Sequence, residues 1–185
     1  MPEYTLIKSK RKTISVEIKN GGVIVRAPNR MTKREADAFA EKHADWINRH
    51  LAQAQSEQRR LETVEKLTRE QLRALILQAQ LYLPARVRHY AGLLGVRYGK
   101  ITVRCQRTRW GSCSAKKNLN FNCLLMLTPP EVIDSVVAHE VCHLIEMNHS
   151  GDFYALVLKI FPEYHRWNRW LKDNGKVLLA KIPED

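Results

Sequence analysis

Ile14, Val16 and Ile18 alternate with polar neighbours, and Val23, Val25 and Ala27 resume that alternation after Asn20-Gly21-Gly22. A period of two on either side of turn residues predicts a β-hairpin ending at Pro28. The period then lengthens. Thr32 with Glu35 three residues later forms a capping box, and Ala36, Phe39, Ala40, Trp46, Ile47 and Leu51 make the apolar stripe of one helix. Thr68 and Gln71 repeat the signature ahead of Leu72, Leu75, Ile76 and Ala79, with a break or kink expected near Pro84 and an end at Gly95. Residues 52–67 are polar and read as a helix extension or a hinge.

After Gly99 two apolar, β-prone segments, Ile101–Cys105 and Leu119–Leu127, flank the polar stretch Gln106–Asn118, which predicts adjacent strands joined by a long loop. Thr128-Pro129-Pro130-Glu131 predicts a helix start, with Thr128 as the cap and Pro129 at the first helical position. Ser150 is placed to cap another helix, with Asp152 in its first turn. A last helix is expected to begin at Pro162, carry Tyr164, Trp167 and Trp170 on its core face, and end at Asn174-Gly175. Together these elements predict an α+β protein: an N-terminal hairpin and helix over residues 1–66, then a core over 67–185 built on a small antiparallel sheet and the helix capped by Thr128.

Among 185 residues, 44% are hydrophobic, enough for an ordinary core, and neither repeats nor low-complexity segments interrupt them. No charged start is followed by a seven-residue apolar run, and no eighteen apolar residues run together, so neither secretion nor membrane insertion is expected. Cys105, Cys113, Cys123 and Cys142 lack the pattern of a disulfide scaffold and read as small buried thiols in a cytoplasmic protein. The net charge of +12 is lopsided, since residues 1–128 hold 25 Lys/Arg against 10 Asp/Glu. That basic N-terminal part is suited to nucleic acid, a nucleotide or an acidic protein.

The helix opened by Thr128-Pro129-Pro130-Glu131 contains V-V-A-H-E-V-C-H-L-I-E-M-N-H. His139 and His143 stand four residues apart, about 40° around a helix, so both imidazoles can reach one ion. Glu140 lies beside them, about 100° from His139, where its carboxylate can act as general base toward water that a metal has acidified to a pKa of about 7. From this chain's content of His and Glu, an H-E-x-x-H is expected by chance only about 0.02 times. Catalytic zinc takes three protein ligands and keeps one position open, so a third ligand is expected. His149 is the first choice and Glu146, Asp152, Glu163 and His165 are the rivals. A continued helix would swing His149 about 280° from His139, so the helix must end first, with left-handed backbone at Asn148 bringing the chain back. Zinc is the expected ion, and nickel is one that such a site acquires in handling.

Arg107, Arg109, Trp110, Gly111 and Ser112 fall in the loop between the strands. There the arginines could hold a carboxylate, phosphate or oxyanion, Trp110 could anchor the core, and Gly111 could allow a tight turn. Tyr154, Tyr164 and His165 join Arg109 as candidates for substrate or oxyanion contacts.

The active-site stretch, with R-T-R-W-G-S-C-S at 107–114 and N-H-S-G-D-F-Y at 148–154, resembles the YgjP-like metallopeptidase family over essentially the whole chain. That family looks like a member of the zincins and is similar, more distantly, to SprT-like and WLM proteases. The resemblance implies ligands at His139, His143 and His149, a catalytic Glu140, and an edge strand near Leu119–Leu125 able to pair with an extended peptide. A zinc-dependent peptidase acting on a peptide or protein is therefore the leading reading. Some relatives carry the label UTP pyrophosphatase, so a nucleotide or phosphate-ester hydrolase using the same metal site is the first alternative. A DNA-associated binding module with a structural metal is the second.

Overall fold

The computed structural model describes residues 2–19 and 21–183. Within them the chain divides into two units, Met1–Thr63 and Val64–Asp185. In the first, β1 (Thr5–Ser9), β2 (Ser15–Lys19) and β3 (Gly22–Pro28) form a sheet in the order β1-β3-β2. The expected hairpin is β2 and β3, with Val16 opposite Val25 and Ile18 opposite Val23. Its turn uses Gly21 at φ +71°, a backbone region that glycine enters without steric cost. Asn20, expected in that turn, lies outside the described residues. β1 had no periodic signal and is held by parallel pairing to β3.

Helix α1 (Lys33–Lys42) opens on the expected capping box, the Thr32 hydroxyl accepting from the Glu35 N–H at 3.2 Å and the Glu35 carboxylate accepting from the Thr32 N–H at 2.7 Å. The single helix expected through Leu51 is instead two, because the chain leaves helical geometry at His43 (φ −108°, ψ 15°) before α2 (Ala44–Glu62) begins. That break lets Ala36, Ala40 and Ile47 all bury against Val23 and Val25. Trp46, expected in the stripe, stays 41% exposed and stacks on His50. The polar residues beyond 52 continue the helix as far as Glu62.

In the second unit α3 (Arg69–Leu94) runs without a break through Pro84, contrary to expectation. A mid-helix proline costs about 3 kcal/mol or more, and here buried Leu83 and Val87 flank it and hold the helix on the core. Gly95, at φ +64°, ends it as expected.

β4 (Ile101–Arg104), β5 (Gly111–Cys113) and β6 (Leu119–Asn122) form the second sheet, in the order β4-β6-β5. The sheet expected to be antiparallel is mixed, β4 running parallel to β6 and β5 antiparallel to it. β5 lies inside the segment expected to be loop. The Leu119 segment is therefore the central strand and not the edge; β4 and β5 are the two edges, β5 being the one packed against α4 (Pro130–Cys142). Hydrogen-bonding explains why the apolar run past Leu119 is not all strand: the Asn122 side chain accepts from the Leu124 N–H at 3.1 Å and turns Cys123–Leu127 into a 3₁₀ helix.

Thr128 donates its hydroxyl to the Leu125 carbonyl and ends that 3₁₀ turn, so α4 (Pro130–Cys142) starts one residue later than expected, with Pro130 first and no side-chain cap. α4 is buried nearly all round, which places it in the core between α3, the sheet and the last helix. Arg86 of α3 clamps its Asp134 with two bonds of 2.6 Å, a geometry that fixes orientation as well as distance. Ser150 caps α5 (Gly151–Ile160) as expected, accepting from the Phe153 N–H at 3.3 Å. α6 (Tyr164–Leu179) begins two residues after Pro162 and runs through Asn174-Gly175 instead of ending there. Gly175 is buried, and a Cβ on it would come within 3.2 Å of the Trp110 indole, so the glycine serves helix-to-indole packing. Among the described helices none is long and apolar enough to cross a membrane.

Asn122 organises the turn above the core. Its amide donates to the carbonyls of Gln106 at 2.6 Å and Arg109 at 2.9 Å, while its oxygen holds Leu124. Replacement by alanine leaves buried backbone groups unpaired, a loss of roughly 2–3 kcal/mol. Urea unfolding of Asn122→Ala should show that loss, with amide exchange accelerated at residues 105–110; a variant as stable as the parent would show that the loop is held by other means.

Candidate active site

α4 ends at Cys142, which leaves His143 at the helix C-cap and His139 one turn earlier. The chain beyond turns back through bonds from the N–H groups of Ile145 and Glu146 to the Cys142 carbonyl. Asn148 was expected to make this turn in left-handed backbone, but Lys117 is the one non-glycine residue of positive φ among the described residues. Glu146 does the work instead. Its carboxylate accepts from the Asn148 N–H at 3.2 Å, and its carbonyl accepts from His143 Nδ1 at 3.0 Å. A glutamate here therefore fixes both the return of the chain and the orientation of an imidazole.

The result is convergence. His139 Nε2 lies 3.2 Å from His143 Nε2 and 3.0 Å from His149 Nε2, and the ligand atoms of the three residues all fall within 4.8 Å of one another. A carbonyl can only accept, so His143 carries its proton on Nδ1 and presents an Nε2 lone pair. His139 Nδ1 contacts the Tyr164 hydroxyl at 2.9 Å, which leaves its Nε2 facing inward as well. Burial lowers the pKa of His139 to about 4, helped by the two neighbouring imidazoles, and burial also lowers that of His143. Neutral imidazoles with converging lone pairs are the donor set of a divalent ion, whose tetrahedral bonds of about 2.0–2.1 Å separate neighbouring donors by about 3.3 Å. The residues present fit such an ion.

Phe153 is the floor of this cluster, its ring 4.5 Å from that of His143 and 4.9 Å from those of His139 and His149. In the sequence it was an apolar position in the first turn of the helix after His149, within the N-H-S-G-D-F-Y stretch, with no role assigned to it. Around it Cys142, Val157 and Tyr164 close a small core that keeps water from the underside of the imidazoles.

Glu140 is 6% exposed, and its carboxylate borders the two cavities that flank the histidines. Burial pushes its pKa up to about 8, while Arg109 pulls it down. Gly111 explains its position. This residue is in strand β5 and not in the tight turn expected, and a Cβ there would lie 2.6 Å from Glu140 Oε1 and 2.7 Å from its Cγ. The missing side chain lets the strand backbone lie flat against the carboxylate.

Of the other expected site residues, Arg109 borders both cavities and Tyr164 borders one of them. Tyr154 and His165 lie outside both, their tilted rings 6.3 Å apart. The rival ligands are placed elsewhere: Glu146 is in the turn, exposed Asp152 is in the first turn of α5, and Glu163 pairs with Arg166 at 3.0 Å. Arg107 donates to the Pro183 carbonyl. Trp110 packs on the core and walls one cavity. Ser112 and Cys113, from the segment expected beside the metal, also line the cavities, with Met147, Asn168 and Leu171, which tertiary packing brings there with no local pattern to announce them. Cys123 and Cys142 are buried thiols as expected, whereas Cys105 is exposed.

Compared with known proteins, residues 12–75 and 60–174 match the family model described as YgjP-like, metallopeptidase domain. Among solved structures, the metallopeptidase zymogen of Pyrococcus abyssi abylysin is 22% identical, with a TM-score of 0.46 over 50% of this chain and 95% of that one. The zymogen of Methanocaldococcus jannaschii jannalysin is 18% identical, with a TM-score of 0.44 over 49% of this chain and 94% of that one. No curated protein gave a match.

Overpacking a rigid contact of this kind costs about 1–3 kcal/mol. Gly111→Ala should therefore lower the unfolding midpoint and show the Glu140 side chain displaced in a crystal structure. An unchanged midpoint with Glu140 in place would mean that strand and helix yield easily at this point.

Proposed function

The chain belongs to the YgjP-like family of metallopeptidase domains, a metal-dependent hydrolase, and from that premise we propose that it is a zinc peptidase in which His139, His143 and His149 hold the ion and Glu140 is the general base. The observation that carries this reading is the convergence of three imidazole nitrogens beside a buried carboxylate that borders open space. A divalent ion bound there supplies Lewis acidity toward a scissile carbonyl and a water acidified to near neutrality. Glu140 removes the proton from the attacking water and returns it to the leaving amine. Its raised affinity for protons, a consequence of burial, suits both transfers, and Gly111 holds it facing the cleft. Three imidazoles suit zinc better than magnesium, which prefers oxygen ligands.

Tyr164 acts through His139. In the ligating tautomer His139 Nδ1 donates to the hydroxyl oxygen, a contact that fixes the ring plane and makes Nε2 a better donor. Burial pushes the Tyr164 pKa up to about 12, so it remains a neutral phenol. The peptide lies extended along the free edge of β5, whose Gly111, Ser112 and Cys113 line the cleft. Four free cysteines support a reducing compartment, the cytoplasm.

Glu140→Gln should lower kcat by about 10²- to 10⁴-fold with zinc content unchanged by elemental analysis; full activity in that variant would eliminate Glu140 as the base. Tyr164→Phe should weaken zinc binding by about tenfold in a chelator competition, the usual scale for losing such a support, and unchanged affinity would remove Tyr164 from that role. Chelation of untagged protein should abolish peptide hydrolysis and stoichiometric zinc should restore it, whereas rescue by magnesium alone would point to a different chemistry.

A further inference from the structure

The two cavities beside the histidines differ in what they can recognise. One, of about 260 Å³, runs between Trp110 and Leu171 and is also bordered by Thr108, Arg109, Ser135 and Asn168. The other passes over Cys113 to Met147, which is 50% exposed. Apart from Glu140, no carboxylate borders either one. Arg109 is exposed and forms no ion pair among the described residues, and its charge acts on the Glu140 carboxylate. Its backbone does not drift, because the Asn122 amide holds its carbonyl at 2.9 Å. An arginine with an anchored backbone, bordering a cavity walled by Trp110 and Leu171 and sharing it with the donors of Asn168, Ser135 and Thr108, is suited to receive a substrate acid. The volume suits one amino-acid side chain with a few waters of about 30 Å³ each.

We propose that the Trp110–Leu171 cavity selects a substrate carboxylate next to the scissile bond, with Arg109 as the ion-pairing group and Asn168 as a second donor, so that the enzyme cleaves acidic peptides. The carboxylate is either a Glu or Asp side chain or the free C-terminus of the peptide, since both offer the same planar acceptor to a guanidinium. Trp110 and Leu171 enclose the aliphatic part of the bound residue, and their low polarity strengthens the ion pair. The Arg109 charge already acts on Glu140, and the same guanidinium would offset the repulsion between that carboxylate and the substrate's. The inference rests on the peptidase reading, and its test separates the two.

Blocked peptides carrying Glu, Gln, Lys or Leu at each position flanking the scissile bond, with C-termini free or amidated, are assayed for cleavage. Their binding to the Glu140→Gln variant is measured by fluorescence anisotropy. The expected result is a Glu-over-Gln ratio in kcat/KM of at least tenfold at one position, falling to near unity in Arg109→Gln and reduced in Asn168→Leu. A free-acid over amide preference of the same size, equally dependent on Arg109, would assign the pocket to the chain terminus. Because each ratio compares two substrates on one enzyme, any change that Arg109→Gln makes to Glu140 cancels. Cleavage with no acid preference, or a preference that survives in Arg109→Gln, would overturn the proposal while leaving the peptidase intact. Acid-selective, Arg109-dependent binding with no peptide cleaved by the parent enzyme would keep the receptor and sink the peptidase reading; neither binding nor cleavage would sink both.

Discussion

Three imidazoles whose ring nitrogens meet at about hydrogen-bond distance repel one another when their lone pairs face inward unless a cation stands among them, and the second unit of this protein is built to hold them there. Each is constrained from outside the cluster. His139 is fixed by the Tyr164 hydroxyl, His143 by the Glu146 carbonyl, and His149 by a turn that the Glu146 carboxylate closes. Phe153 supports all three from below. Folding thus places together groups that gain little from one another's company, and the apolar burial of α4 on every side supplies the compensating stability.

The second constraint is one of contact. Glu140 sits in a core helix, where a carboxylate is costly, and its accessible face is set by a strand with no side chain at the point of approach. The same strand is an edge of its sheet, so one backbone segment presses on Glu140 and lines one of the cavities beside the histidines. Trp110, the residue before it, packs in the same way against Gly175 of α6. Two glycines that resemble turn residues in sequence are therefore places where large groups must come close. Asn122 joins strand, 3₁₀ turn and cleft loop, so the position of Arg109 follows from the core and not from the loop's own preferences.

Local signals were accurate where one physical cause acts alone. Capping boxes at Thr32 and Thr68, the cap at Ser150 and the stop at Gly95 appear where expected, since each depends on a few adjacent residues. Signals failed where tertiary contact outweighs them. Pro84 stays inside α3 because its flanks are buried, Gly175 stays inside α6 because an indole needs the space, and His43 breaks a helix so that two apolar faces meet one sheet. β1 and β5 were hidden for a related reason: pairing with β3 and β6, not alternation, makes them strands.

By itself, the amino-acid sequence determined the spacing of His139, Glu140 and His143, because four residues on a helix bring two side chains to one face whatever surrounds them. It also marked His149 as able to join them, provided that the helix ended. Tertiary structure alone decided how the chain returns through Glu146, which strand forms the edge, what presses on Glu140, and which residues wall the two cavities. Those relations join residues far apart in the chain, and no local periodicity encodes contacts that exist only once separate elements have packed.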